Sequence, residues 1–472
     1  MKKYLSFVLA MIIIAFMLVS CFGGDNEQDN PTEESEGLKF TLNDDGVSYS
    51  VTGIGTCTDT NIVVPSTYND MSVASISERA FLDCTSLTSI TIPNSIMSIG
   101  YGAFWGCASL TSVTIGDSVT SIEPWVFYGC TSLTSIVILD SVTSIGRYAF
   151  RRCTSLTSIT IPDSVTSIDN AAFLDCASLT NVTIGNSVTS IGDEAFYGCA
   201  SLTSIAIPDS VTSIGNLAFG NCTSLTSITI PDSVTSIYRG AFSNCTSITS
   251  VTIPDSVMSI GGNAFSGCTS LMSITIPDSV TSIDRGVFSQ CTSLTSITIP
   301  DSVTSIDDYA FKNCTSLTSI IIPDSVMSIG DGAFRQCTSM TSITIPDSVT
   351  SIGKYAFNGC ASLESITIPN SIMSIGDYSF QYCTSLTSIV INDSVTSIGE
   401  WAFSGCTLLT SITIPDSVTS IGDYAFQHCI SLTSIKFDGT VKQWNTIEKG
   451  DNWNHYVSAT EVICSDGTVT LK

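Results

Sequence analysis

Cys153-Thr154-Ser155-Leu156-Thr157-Ser158-Ile159-Thr160-Ile161-Pro162-Asp163-Ser164-Val165-Thr166-Ser167-Ile168-Asp169-Asn170-Ala171-Ala172-Phe173-Leu174-Asp175 is one unit of 23 residues, and it recurs without a slip from Cys84 to Cys429. A fixed short period means that each unit contacts mainly its sequence neighbours, so the chain stacks into a solenoid. Within the unit, Thr157-Ser158-Ile159-Thr160-Ile161 alternates with period two and predicts a strand with its isoleucines inward. Pro162-Asp163-Ser164 breaks that strand: proline presets φ, and Asp and Ser favour turns through local hydrogen bonds. Val165-Thr166-Ser167-Ile168 alternates again, and Ala172-Phe173 closes the coil through a tight helical or irregular turn.

Working outward, eight positions of the unit point inward: Cys, Leu, two Ile, Val, Ile, Ala and Phe. A single coil leaves these side chains open above and below, so neighbouring coils must cover them. The fold class is a mainly β repeat solenoid of 23-residue coils, two short strands to a coil, capped at both ends. Such a unit is too short for a helix pair and lies within the leucine-rich-repeat range. Sixteen coils at about 4.8 Å give a rod or arc of roughly 75–80 Å, with Phe81 through Phe426 forming a buried ladder.

The flanks depart from the repeat. Met1-Lys2-Lys3 followed by fifteen residues, Leu5 to Val19, interrupted only by Ser6, predicts a signal peptide over residues 1–20. The run is too short for a membrane span, which needs about 20 residues. Leu18-Val19-Ser20-Cys21 resembles a bacterial lipobox, which implies lipidation of Cys21 and membrane attachment through that anchor, at the outer membrane or cell surface. Residues 21–37 carry six acidic and no basic side chains, and are expected to be a disordered tether reaching roughly 20–24 Å. Residues 38–83 form an N-terminal cap and degenerate repeat, with the extra length in Ser66–Ser72; residues 84–434 form the array. Residues 435–472 form the C-terminal cap, with a hairpin signal from Val462 to Leu471 around Asp466-Gly467.

Charge narrows the partners. With 16 basic and 42 acidic residues the net charge is −26, or −28 once Lys2 and Lys3 leave with the leader. Such a surface repels nucleic acid, heparin-like polyanions and anionic headgroups.

The pattern I-P-x-S-V-x-S-I-G-x-x-A-F-x-x-C-x-S-L-x-S-I resembles the BspA-like leucine-rich repeats of bacterial surface proteins, over every unit. The caps resemble that family too, at Gly46-Val47-Ser48-Tyr49 to Cys57 and at Gln443-Trp444 with Cys464-Ser465-Asp466-Gly467. The resemblance implies surface display and, for some members, adhesion to host matrix proteins or other bacteria. It brings no catalytic motif and no cofactor.

Candidate sites then follow from positions counted from the cysteine. The cysteines have no CxxC spacing and no clustered histidine, so they read as buried free thiols rather than zinc ligands or disulfides. An aspartate ladder at position 11 reads as turn chemistry on a solvated edge, with weak binding of divalent cations between rungs as its other role. Outward Ser and Thr, such as Ser158 and Thr160, read as β-favouring soluble surface. Positions 18, 19, 22 and 23 vary between units. At position 19, Tyr355, Tyr378, Trp401 and Tyr424 fall in four successive coils, and Trp125, Tyr148 and Tyr309 fall there elsewhere. That row is the candidate ligand contact, for protein or glycan on host or neighbouring cells; the alternative is that the rings shield the coil closure. Two histidines, His428 and His455, and no GxSxG, HExxH or P-loop leave catalysis without support. The leading reading is a cell-surface lipoprotein that binds or adheres through its repeat surface. The rival is a self-associating structural envelope protein with no host ligand.

Overall fold

The computed structural model describes residues 33–471; the leader, Cys21 and most of the acidic stretch fall outside them. From Ser35 the chain forms one compact unit. Each 23-residue repeat makes one coil, and equivalent strands pair in parallel and in register with the neighbouring coil. Ser158–Thr160 meets Asn181–Thr183 on one side of the coil, and Ser167–Ile168 meets Ser190–Ile191 on another. In Ser158–Thr160 the central isoleucine is buried and its two neighbours are exposed, the period-two pattern of a strand with one solvated face.

The closing segment is neither helical nor irregular. It is a run of turns with a regular division of backbone bonds. Ala103, Trp105, Cys107 and Leu110 N–H groups donate to the carbonyls of Gly100, Gly102, Phe104 and Cys107, three residues back. The intervening N–H groups of Phe104 and Gly106 donate to Val126 and Tyr128 in the next coil. These amides are therefore satisfied without a helix. Among the described residues the α-helix is confined to the C-terminal cap, Val441–Thr446.

The interior is a set of ladders. Sixteen phenylalanines from Phe81 to Phe426 stack ring on ring, with centroids 5.2 Å apart at Phe150–Phe173 and 6.0 Å apart at Phe265–Phe288. Cys107 through Cys429 are free and buried. Each thiol donates to the carbonyl of a phenylalanine in the preceding coil, as Cys107 does to Phe81 at 3.0 Å and Cys268 to Phe242 at 3.2 Å. Burial pushes the Cys222 and Cys268 thiols up to about 12, so they remain protonated at neutral pH.

Hydroxyls outside the strands also join the coils. Thr157 Oγ1 donates to the Thr134 carbonyl at 3.3 Å, and Ser164 Oγ donates to the Val142 carbonyl at 2.6 Å. These hydroxyls, at positions 5 and 12, tie coil to coil, whereas Ser158 and Thr160 on the strand lie exposed as expected.

The two ends close differently. Thr67–Tyr68 and Met71–Ile76 make a hairpin over the extra residues, with Asn69 and Asp70 both at positive φ in its turn. At the other end Thr440 and Gln443 form a reciprocal cap on Val441–Thr446, whose Trp444 is buried. Glu461–Cys464 extends the parallel sheet from Ser434–Phe437 and turns back through Ser465-Asp466 into Gly467–Thr470.

Candidate binding ridge

The closing turns of successive coils line up into a ridge, positions 17–23 of every unit. All eight basic residues between Cys84 and Ser434 lie on it: Arg147, Arg151, Arg152, Arg239, Arg285, Lys312, Arg335 and Lys354. So do all thirteen tyrosines and tryptophans of that span. The position-11 aspartates sit on a different turn of the coil, exposed; there Asp163 Oδ1 accepts from the Asn186 backbone at 2.7 Å. Among the described residues no three His, Cys, Asp or Glu side chains gather as a metal site.

The backbone of the ridge fixes which residue types are comfortable there. Positions 19 and 23 both adopt positive φ in coil after coil. An L-residue in that region costs roughly 1–2 kcal/mol, which Gly avoids and Asn or Asp tolerates best. Position 23 obeys this rule: eleven of its sixteen residues from Asp83 to His428 are Gly, Asn or Asp. Position 19 does not. Gly fills it at Gly102, Gly240, Gly286 and Gly332, but an aromatic ring fills it at seven of fifteen coils, among them Trp125 (φ 66°), Tyr355 (φ 60°) and Trp401 (φ 55°). Unfavourable backbone conformations that recur at one surface point to a role for the side chains they carry.

The structure brings Tyr355, Tyr378, Trp401 and Tyr424 into one half-buried row. Tyr355 and Tyr378 stack at 4.6 Å, Tyr378 and Trp401 at 6.2 Å, and Trp401 and Tyr424 at 4.5 Å, with interplanar angles of 10°, 7° and 25°. Arg335 lies against the outer face of the row, its Cζ 5.4 Å from the Tyr355 centroid. Glu400 ties the middle of the row: its Oε1 accepts from Trp401 Nε1 at 3.0 Å and from the Tyr378 hydroxyl at 3.4 Å. Burial, then the Glu400 carboxylate, push the Tyr378 phenol above its ordinary value, so it remains a neutral hydroxyl.

Position 18 has a second task. At most of the coils where it is Asn or Asp, the side chain caps the amide of the same position one coil on: Asn170 accepts from Asp193 N at 2.8 Å, Asp193 from Asn216 N at 2.7 Å, and Asp331 from Lys354 N at 2.7 Å. These side chains are structural, and variation there is not freely available to ligands. Sequence reasoning missed Glu400, and also Tyr101, Trp105 and Tyr128, which join Trp125 and Tyr148 in a second group of rings. The signal that could have found the group was available: placing every cation and ring on the repeat register puts them all on one side of the coil.

Parallel coils with two strand-bearing sides, a buried phenylalanine spine and turn-built closures define a leucine-rich-repeat solenoid. The BspA type leucine rich repeat region matches residues 56–178, 143–271, 235–361 and 328–447, and the chain belongs to that family. A leucine-rich repeat protein from Bacteroides ovatus shares 29% identity over 88% of this chain and 97% of its own, with a TM-score of 0.61. A leucine rich cell surface protein from Faecalibacterium prausnitzii shares 31% identity over the same shares of the two chains, with a TM-score of 0.45. No curated protein matches the chain.

Proposed function

We propose that the protein is a binding module of the bacterial cell surface that engages protein or glycan on host or neighbouring cells through the ridge, and that it is not an enzyme. The observation that carries this reading is the row at residues 355–424: four rings held where glycine is the comfortable residue, half-exposed and fixed by Glu400. Tyr and Trp supply large contact area with little side-chain entropy to lose, so they dominate many interfaces. Similarity to a leucine rich cell surface protein supports display outside the cell. Attachment would be through a lipid on Cys21, as the lipobox-like Leu18-Val19-Ser20-Cys21 suggests.

The test compares the wild-type chain with a variant carrying Tyr355→Gly, Tyr378→Gly, Trp401→Gly and Tyr424→Gly. Glycine is the substitution of choice because natural coils use it at this φ. The reading expects saturable binding to immobilised host matrix proteins or intact neighbouring cells, lost in the variant while its melting curve holds. Equal binding by both chains would remove the row from the mechanism. Concentration-dependent self-association with no such ligand would favour the structural alternative.

A further inference from the structure

The other ring group on the ridge keeps different company. Tyr101, Trp105, Trp125, Tyr128 and Tyr148 come from three successive coils and are all half-buried. Trp105 meets Trp125 at 5.0 Å and Tyr128 at 5.2 Å, and Trp125 meets Tyr148 at 4.5 Å. Several of these contacts are open in angle, 69° for Trp105–Tyr128 and 49° for Trp125–Tyr148, so the rings do not close into one stack as the row at 355–424 does.

Two guanidinium groups share one of these rings. Arg147 Cζ is 4.6 Å and Arg151 Cζ 5.2 Å from the Tyr148 centroid, and Arg151 also lies 5.6 Å from that of Tyr128. Their neighbours Arg79 and Arg152 are paired, with Glu78 at 3.4 Å and Asp175 at 3.9 Å. Among the described residues Arg147 and Arg151 have no carboxylate within 4.0 Å, in a chain where acids outnumber bases 42 to 16. The Nε of Arg151 is buried without an acceptor. Arg147 Nη2 donates to the Tyr148 hydroxyl at 2.8 Å, which holds that guanidinium in place and leaves it without an acid partner. Guanidinium groups beside ring surface with no acid of their own are matched by a carboxylate.

The overall charge of −26 opposes an extended polyanion, but it penalises a single carboxylate far less. Peptide addition to a strand is closed off here, because Ser112–Thr114 is already paired on both edges, with Ser89–Thr91 and with Ser135–Ile136. What remains is side-chain surface: ring faces for C–H groups and guanidiniums for one acid. We propose that this group is a second binding site, for a terminal carboxylate-bearing sugar on an otherwise neutral glycan. The carboxylate lies on Arg147 and Arg151, and the sugar ring packs on Trp105, Trp125 and Tyr128. This site does not depend on the row at 355–424.

Calorimetric titration of the full chain with 3′-sialyllactose, lactose and the peptide Glu-Tyr-Glu tests it. The acidic sugar binds, lactose binds at least about tenfold more weakly, and R147Q/R151Q loses at least about tenfold for the acidic sugar alone, the scale of one charge-assisted contact. W125G weakens binding with an unchanged melting curve, since glycine fills that φ in other coils. Y355G/W401G binds the acidic sugar as wild type does, which separates this site from the row. If R147Q/R151Q fails to fold, R147K/R151K keeps the charge, loses the fork, and binds at an intermediate strength. No heat with the acidic sugar at millimolar concentration, equal binding of lactose, equal or tighter binding of the peptide, or wild-type affinity in a folded R147Q/R151Q would each overturn the proposal.

Discussion

Phe265→Ala probes whether the coils hold one another up. The Phe265 side chain is fully buried, and its ring lies 5.5 Å from Phe242 and 6.0 Å from Phe288. Truncation removes apolar burial and leaves a cavity that neighbours fixed by inter-coil hydrogen bonds fill poorly. Phe→Ala at such sites costs about 3–5 kcal/mol. In a solenoid that cost falls on one inter-coil junction rather than on the whole molecule. Hydrogen exchange reads it directly. The amides of Phe242 and Phe265, which donate to Ala264 and Val287, should exchange about two to four decades faster. Amides around Phe127 and Phe403 should keep most of their protection, and denaturant unfolding should broaden or split. A uniform loss of protection from end to end would refute the nearest-neighbour reasoning, because it would mean that the array opens only as a whole. A change below about 1 kcal/mol would refute the assignment of the phenylalanine ladder as the core.

Further expectations concern the thiols, the ridge and its ties. The described cysteines should be inert to a thiol reagent in the native state from Cys107 to Cys429, and all eighteen should react in denaturant without reductant; recovery of only a few would mean disulfides. The folded thiols of Cys107, Cys222 and Cys268 sit near 12, above their ordinary 9.0, so their contribution to stability is complete below pH 9 and lost as pH climbs from there toward 12. A Cys222→Ala chain should therefore lose less melting temperature between pH 8 and 11 than wild type, and an equal loss would contradict the burial argument. Glu400→Ala should free the Trp401 indole from its acceptor and shift its fluorescence, with stability changed by about 1 kcal/mol or less. Trp401→Gly should leave the melting curve nearly unmoved while removing binding.

How much of this was legible in the sequence depends on what each feature rests upon. The strands, the phenylalanine ladder and the buried thiols follow from which residues recur and how apolar they are, and repetition multiplies that signal sixteenfold. The closing turn was less legible. Ala-Phe after a glycine suits a helical turn or a loop equally well. What decides between them is that Phe104 N–H finds a carbonyl in the next coil, a contact no local pattern encodes. The role of Thr157 and Ser164 was hidden for the same reason, since their acceptors lie 23 and 22 residues away. On the ridge, the candidate row could be listed from the sequence. Its parallel stacking and the clamp by Glu400 could not, because ring angles depend on φ at position 19, and nothing about Tyr or Trp announces a positive value. That Arg147 and Arg151 lack an acid partner was concealed by averaging: a chain-wide charge of −26 says nothing about where the few cations gather.

Two ladders in one coil show why the ridge is free to diversify. Phe403 and Trp401 stand two residues apart, and both stack on equivalents in neighbouring coils. Phe403 is fully buried and its position carries Phe in every unit from Phe81 to Phe426. Trp401 is half-exposed, and its position holds Gly, Asn, Leu, Glu, Ala, Tyr or Trp. Replacing Trp401 by Gly forfeits two ring contacts worth about 0.5–1.5 kcal/mol each. It regains roughly 1–2 kcal/mol of backbone strain. The two nearly cancel, whereas Phe403→Ala offers no such return. Because the backbone bonds of the closing turn are the same whichever side chain is present, position 19 can change residue at almost no cost to the fold. A position that is nearly neutral for stability, and is nonetheless aromatic in four coils running, is where a binding requirement would leave its mark.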